Sequence, residues 1–247
     1  MEKIKLFCFP YAGGSATVYR EWKKYLHPLI ELEAVELAGR GSRIMEDPYQ
    51  SVGGAVADVL SIIKPHIAHK QYAIFGHSMG SLIGYELAQH INSNTLRPPL
   101  HLFFSGRGAP HIQRPDKKKY HLMEEDEFKR EVLKLGGTPP EFFHHPDLMN
   151  IFIPILKNDF RIVETYPYRS NIHALPFDFT VFLGRQDDLT EQQCSEWSQH
   201  TTRVCNTHYF EGGHFFLHQQ VNGIVKLINQ TLVGGVSPAI KNQPYTL

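Results

Sequence analysis

The chain has 247 residues, enough for one sizeable core, and its 25 Lys and Arg balance 25 Asp and Glu, which removes any general electrostatic case for nucleic acid or an anionic membrane as partner. Only four apolar residues separate Lys5 from Pro10, too few for a secretory signal, and no apolar run approaches a membrane span, so a cytoplasmic protein is expected. The three cysteines, Cys8, Cys194 and Cys205, lack paired spacing and read as reduced thiols; no His/Cys cluster has zinc spacing, and nothing implies a metal or a cofactor.

In chain order, Ile4 to Phe9 reads as a strand running into the glycine-rich turn Tyr11-Ala12-Gly13-Gly14-Ser15. Leu32 to Leu37 and Tyr72 to Phe75 are the next strands. The third runs into Gly76-His77-Ser78-Met79-Gly80 and then a segment of helical composition, Ser81 to Ala88. Leu100 to Phe104 is a fourth strand. The stretch from about 114 to 168 breaks the alternation and reads as a helical lid, with Glu124 to Leu135 and Pro146 to Leu156 as helices and a bend at Gly136 to Pro140 between them. Strands resume at Asp178 to Leu183 and Asn206 to Phe210, the latter followed by Glu211-Gly212-Gly213-His214 and a helical run from Phe215 to about Leu232. Strands separated mainly by helices imply a mostly parallel sheet covered on both faces, in a single domain spanning 1–247 with no linker or repeat.

The pentapeptide around Ser78 carries the chemistry. A strand, a G-x-S-x-G turn and a helix together make a nucleophile elbow, in which residues larger than glycine at positions 76 and 80 would clash. The turn lifts the Ser78 hydroxyl into a cleft, with the helix N-terminus beneath it and the Met79 amide free to bind an oxyanion. A serine alone is a poor nucleophile and needs a base and a group that orients the base. In the α/β-hydrolase fold these follow in the order serine, acid, histidine, each in a loop after a strand. Among 15 histidines only His214 has that order and a glycine-flanked loop. His208, His218, His144 and His145 read as surface or packing residues, and His77 points away if Ser78 is exposed. The acid falls in Asp187-Asp188, after the fifth strand. The turn at Ala12 to Gly14 can supply a second oxyanion amide, best assigned to Ala12. It carries neither G-x-G-x-x-G nor a phosphate-binding lysine motif, which argues against nucleotide binding.

Seven blocks spread over nearly the whole chain resemble those of type II thioesterases of nonribosomal peptide and polyketide synthesis: FPYAGGSA, ELAGRGSR, GHSMGS, FFSGRGAP, LGGTPPE, NDFRIVETYPY and EGGHFFL. Within that family the chain is similar to the colibactin-pathway branch. The resemblance implies a discrete α/β-hydrolase that removes unwanted acyl groups from the phosphopantetheine arm of carrier proteins. It places the nucleophile on Ser78, the base on His214, the acid on Asp187 and the oxyanion amides on Met79 and Ala12. Two positions depart from the family pattern. Ala38 stands where a proline is common, and Asp187-Asp188 replaces a frequent Asp-Pro, so Asp188 is the alternative acid to the Asp187 favoured by its place three positions after Gly184.

The resemblance also implies that the lid shapes an acyl pocket, for which Phe142, Phe143, Phe152, Ile153 and Phe160 are candidate walls. The expected partners are acyl-loaded carrier proteins, which a basic margin at Asp116-Lys117-Lys118-Lys119 could attract; a monomer is the default. An acyltransferase or a general acyl-CoA thioesterase or esterase could use the same residues, and a non-catalytic hydrolase-fold binding protein is a further alternative. The presence of an acid and a histidine after Ser78 argues against the last.

Overall fold

The structure, a computed structural model, describes residues 2–112, 118–137, 145–168 and 172–234. Strands β1 (Ile4–Phe9), β2 (Ile30–Ala34), β3 (Tyr72–His77), β4 (Leu102–Ser105), β5 (Phe179–Gly184) and β6 (Cys205–Phe210) form one sheet in the order β2-β1-β3-β4-β5-β6, and every pairing is parallel. The central strands are buried on both faces, which is why they read as near-continuous apolar runs.

Side-chain alternation splits the core in two. Phe7, Phe9, Tyr72, Ile74 and Phe104 point to one face, against α1 (Val52–Ile67), α2 (Met79–Ser93) and Trp197. Leu6, Cys8, Phe75, Phe103 and Phe182 point to the other, against Trp22 in the 3-10 turn Ala16–Lys24 and against α6 (Val221–Val233). Each fully buried phenylalanine contributes about 1.5–3 kcal/mol.

Between β4 and β5 lies an insertion built on α3 (Glu125–Leu135) and α4 (Pro146–Glu164), with its own small core of Tyr120, Phe128, Val132, Met149, Ile153 and Leu156. A short helix, α5 (Glu191–Ser195), follows β5 behind a capping box made by Thr190 and Gln193.

Most strand ends fall within two residues of expectation, and three boundaries differ more. The second strand ends at Ala34 rather than Leu37: Val35 makes one more bond, to the Cys8 carbonyl, and then the partner strand reaches Pro10, which has no N–H to offer. The helix expected to end at Leu156 continues to Glu164, past Pro154. The single helical run after His214 is instead a 3-10 turn at Phe216–His218 followed by α6, because Phe216 N–H and His218 N–H bond three residues back, to Gly213 and Phe215. Among the described residues no helix is long and apolar enough to cross a membrane.

Candidate active site

β3 delivers the chain to Ser78, whose φ of 54° and ψ of −109° place a non-glycine residue in a strained conformation before α2 begins at Met79. Such a residue costs on the order of 1–3 kcal/mol, which the surroundings must hold in place. They do so with backbone and side-chain bonds from β4. Ser78 N–H donates to the Ser105 carbonyl at 2.8 Å, and the buried Ser81 hydroxyl accepts from Ser105 N–H at 2.9 Å. The glycines are required by contact. A Cβ on Gly76 would lie 2.1 Å from the Gly80 carbonyl oxygen, and one on Gly80 the same distance from that of Phe9.

The loops after β5 and β6 are pressed together in the same way. A Cβ on Gly184 would sit 2.5 Å from the Gly213 oxygen, and Gln186 N–H donates to the Gly212 carbonyl at 3.0 Å. This contact brings Asp187 and His214 side by side. His214 Nδ1 lies 3.0 and 3.2 Å from the two Asp187 carboxylate oxygens, and its Nε2 lies 2.9 Å from Ser78 Oγ. A carboxylate only accepts, so Nδ1–H donates to it. The Nε2 lone pair of the neutral ring is then left facing the serine hydroxyl. Asp187 is nearly buried, whereas Asp188 lines the cavity alongside without bonding the imidazole.

Around this chain of side chains opens a cavity of about 770 Å³, whose walls include Ala12, Met79, Leu156 and Tyr166. Of the amides at its mouth, Gly14 N–H donates to the Tyr11 carbonyl at 2.9 Å and Gly13 N–H to the Asp159 carboxylate at 2.7 Å. Ala12 N–H and Met79 N–H have no acceptor among the described residues, and both residues line the cavity that Ser78 Oγ enters.

Phe152 and Phe160 both line the cavity. Ile153 packs inside the insertion's own core instead and is not a wall residue. Phe142 and Phe143 lie outside the described residues, as do His144, Asp116 and Lys117. His77 turns away from the cavity, buried, with Nδ1 2.8 Å from Ser105 Oγ; burial pushes its pKa well below the usual histidine value, keeping it neutral beneath His214. His218 bonds the Tyr11 hydroxyl at 3.0 Å on the same side of the sheet.

One pairing escaped the sequence reading. Arg40 and Asp159, both buried, form a bidentate ion pair at 2.6 and 2.8 Å. Each sits in one of the resembling blocks, ELAGRGSR and NDFRIVETYPY, but nothing in a single sequence says that positions so far apart meet. Among the described residues no group of three His, Cys, Asp or Glu side chains is placed to hold a metal ion.

Comparison with known proteins gives the family. The thioesterase domain family matches residues 4–232. The gramicidin S biosynthesis protein GrsT of Aneurinibacillus migulanus is 35% identical, over 96% of this chain and 92% of its own length. ClbQ from the colibactin NRPS/PKS pathway superimposes with a TM-score of 0.88 at 36% identity, covering 94% of this chain and 98% of that one, which makes the chain a relative of ClbQ. The type II thioesterase BorB from the borrelidin biosynthetic cluster does so with a TM-score of 0.83 at 31% identity, over 93% and 92%. The sheet is that of the α/β-hydrolase fold. Since the match runs from the first strand into the last helix and includes every loop that builds the cleft, the chain belongs to the thioesterase domain family and is a hydrolase acting on thioesters.

Proposed function

We propose that this protein is an editing thioesterase of a nonribosomal peptide or polyketide assembly line, hydrolysing acyl groups from the phosphopantetheine arm of carrier proteins. Ser78 is the nucleophile, His214 the general base and Asp187 the group that orients it. The observation that carries the reading is the unbroken run Asp187–His214–Ser78 at hydrogen-bond distances, opening into a large, mostly apolar cavity lined by Ala12 and Met79, whose amides have no acceptor among the described residues.

Ser78 Oγ attacks the thioester carbonyl carbon as its proton passes to His214 Nε2. The oxygen of the tetrahedral adduct takes the negative charge and accepts from Met79 N–H and Ala12 N–H, donors worth about 3 kcal/mol each. The carbon–sulfur bond breaks, and the departing sulfur takes the proton from the imidazolium, whose positive charge Asp187 stabilises meanwhile. Water, deprotonated by His214, then attacks the acyl-serine carbon. Oγ leaves with the proton returned by the imidazolium, and a carboxylic acid is released.

The insertion acts as the lid of this cavity, and Phe152 and Phe160 form part of the acyl-facing wall. An editing enzyme accepts many acyl groups, and an apolar wall discriminates by only about 1–3 kcal/mol per methylene. Selectivity then comes from docking of the carrier, which adds binding energy remote from the reacting carbonyl and orients it. The similarity to ClbQ of the colibactin NRPS/PKS pathway, and to the type II thioesterase BorB of the borrelidin biosynthetic cluster, supports the assignment to assembly-line chemistry. The test is a panel of acyl groups presented on carrier protein, on pantetheine and on coenzyme A, with matching oxygen esters. A higher kcat/KM on carrier is expected. Equal rates on carrier and coenzyme A make it a general acyl thioesterase, and oxygen esters cleaved as fast as thioesters make it an esterase.

A further inference from the structure

The buried pair Arg40–Asp159 lies outside the Ser78–His214–Asp187 chain yet reaches the backbone beside it. Asp159 sits on α4, in the insertion, and is fully buried; Arg40 follows β2 and is 4% exposed. The two guanidinium bonds occupy both Asp159 oxygens, and the oxygen at 2.6 Å from Arg40 also accepts Gly13 N–H at 2.7 Å. Arg40 Nη1 lies 3.4 Å from the Gly14 carbonyl as well. The insertion is seated directly on this turn. Gly13 has a φ of +74°, and a Cβ there would meet Leu156 of α4 at 2.8 Å and the Phe152 ring at 3.1 Å.

Peptide planarity makes this contact matter for Ala12. The Tyr11 carbonyl and the Ala12 N–H belong to one trans peptide unit and point in opposite directions. The Gly14 N–H bond to the Tyr11 carbonyl fixes that plane, and the Asp159 bond to Gly13 N–H fixes the next. With both planes held, the Ala12 N–H has one direction. A buried ion pair is a costly way to achieve packing alone, since apolar residues of similar volume often do as well or better. What an apolar pair lacks is an acceptor for Gly13.

We propose that Arg40 and Asp159 are positioning residues that set the Ala12 amide in the oxyanion site and tie it to the seat of α4. The inference rests on the thioesterase reading above and on Ala12 as the second oxyanion donor. Misplacing a donor by about 1 Å can cost up to ~10²-fold, so an effect of 10- to 100-fold on kcat is expected.

The experiment compares wild type, Asp159→Asn, Asp159→Leu and the double variant Arg40→Met/Asp159→Leu, measuring urea stability together with kcat and KM on acetyl-pantetheine. Both single variants leave Arg40 buried without its counter-charge and should lose stability. The apolar double variant should regain most of that stability while its kcat stays at least 10-fold down and its KM moves less than about threefold. Recovery of kcat along with stability would overturn the proposal by showing the pair to be structural only. If the double variant does not fold, the single variants decide at a temperature where both are folded. Asn, which keeps an acceptor for Gly13, should retain at least several-fold more kcat than Leu; equal values overturn the proposal. A wild type inactive on every thioester would count against the functional reading, whereas a normal kcat in Asp159→Leu would count against this inference alone.

Discussion

The sheet and the insertion between β4 and β5 are held by different physics, and the division corresponds to two tasks. In the sheet, parallel ladders fix the register of strands buried on both faces, and the ends of β3, β5 and β6 hold Ser78, Asp187 and His214 through backbone contacts that leave no room for a Cβ. The insertion has a small core of its own and meets the rest through a few apolar residues, Ile162 and Tyr166 among them, together with polar handles. Besides Arg40–Asp159, Asn158 donates to the Tyr49 carbonyl at 3.0 Å and Arg161 to the Gln50 carbonyl at 3.3 Å. Groups that must sit within tenths of an ångström ride on the rigid layer, and the wall that meets variable acyl chains belongs to the part held by fewer contacts.

The sharpest way to break the comparison is to remove the nucleophile from the rigid layer. Ser78→Ala should lower kcat by on the order of 10⁶-fold and abolish labelling by a fluorophosphonate, with urea stability changed by no more than about 1.5 kcal/mol, because the bond lost is the single part-buried one to His214 Nε2 at 2.9 Å. Labelling that persists in the folded variant would place the nucleophile elsewhere.

Next in size is the acid. Asp187→Asn keeps the shape but removes the charge facing His214 Nδ1, and should cost about 10⁴ in kcat. Asp188→Asn, at the cavity wall, should cost less than tenfold. A reversal of these two values would move the acid by one residue and mean that the loop after β5 rearranges in solution.

These two assignments also mark how far a single sequence reaches. Ser78 and His214 were legible because each sits in a glycine-bearing turn after an apolar strand, a local signal. The acid was ambiguous by one residue because its identity depends on how the turn Gly184–Leu189 projects consecutive side chains. That projection is set by Leu189 N–H bonding the Asp187 carbonyl at 2.9 Å and by the neighbouring Gly212 loop. In the insertion, helix periodicity located α3 and α4 but did not separate wall from core: Phe152 faces the cavity and its neighbour Ile153 faces α3, a difference of one helical position that only packing decides. Arg40 and Asp159 were visible as charged residues in two blocks, and their pairing is purely tertiary.

The insertion's contribution should be smaller and of a different kind. Phe152→Ala enlarges the wall without touching the elbow, so kcat on acetyl substrates should stay within about threefold while kcat/KM shifts toward longer or branched acyl chains by roughly tenfold. The readout is the ratio of kcat/KM for octanoyl over acetyl thioesters. An unchanged ratio with a uniformly lower kcat would mean that Phe152 acts instead through Gly13, whose Cβ position its ring crowds.

The smallest effect separates the two regions by acid. His101 enters β4 buried, with Nε2 2.8 Å from the Thr180 hydroxyl on β5, and burial pushes its pKa down to about 4 against a weak opposing pull from Asp178. His200, 2.8 Å from the Tyr85 hydroxyl, is likewise pushed down to about 4 by burial. In the unfolded chain both take up a proton near pH 6.5. Between that value and about 4 the unfolded state therefore binds more protons than the folded one, and stability falls as the pH drops through this window. Each group can contribute a slope approaching ~1.4 kcal/mol per pH unit. His101→Gln keeps a hydrogen-bonding group near Thr180 but cannot titrate, so its urea stability between pH 6.5 and 4.5 should decline less steeply than wild type, by about 1 kcal/mol per pH unit. Identical slopes would show that His101 takes its proton in the folded state, and would shift the acid sensitivity from the sheet to other groups.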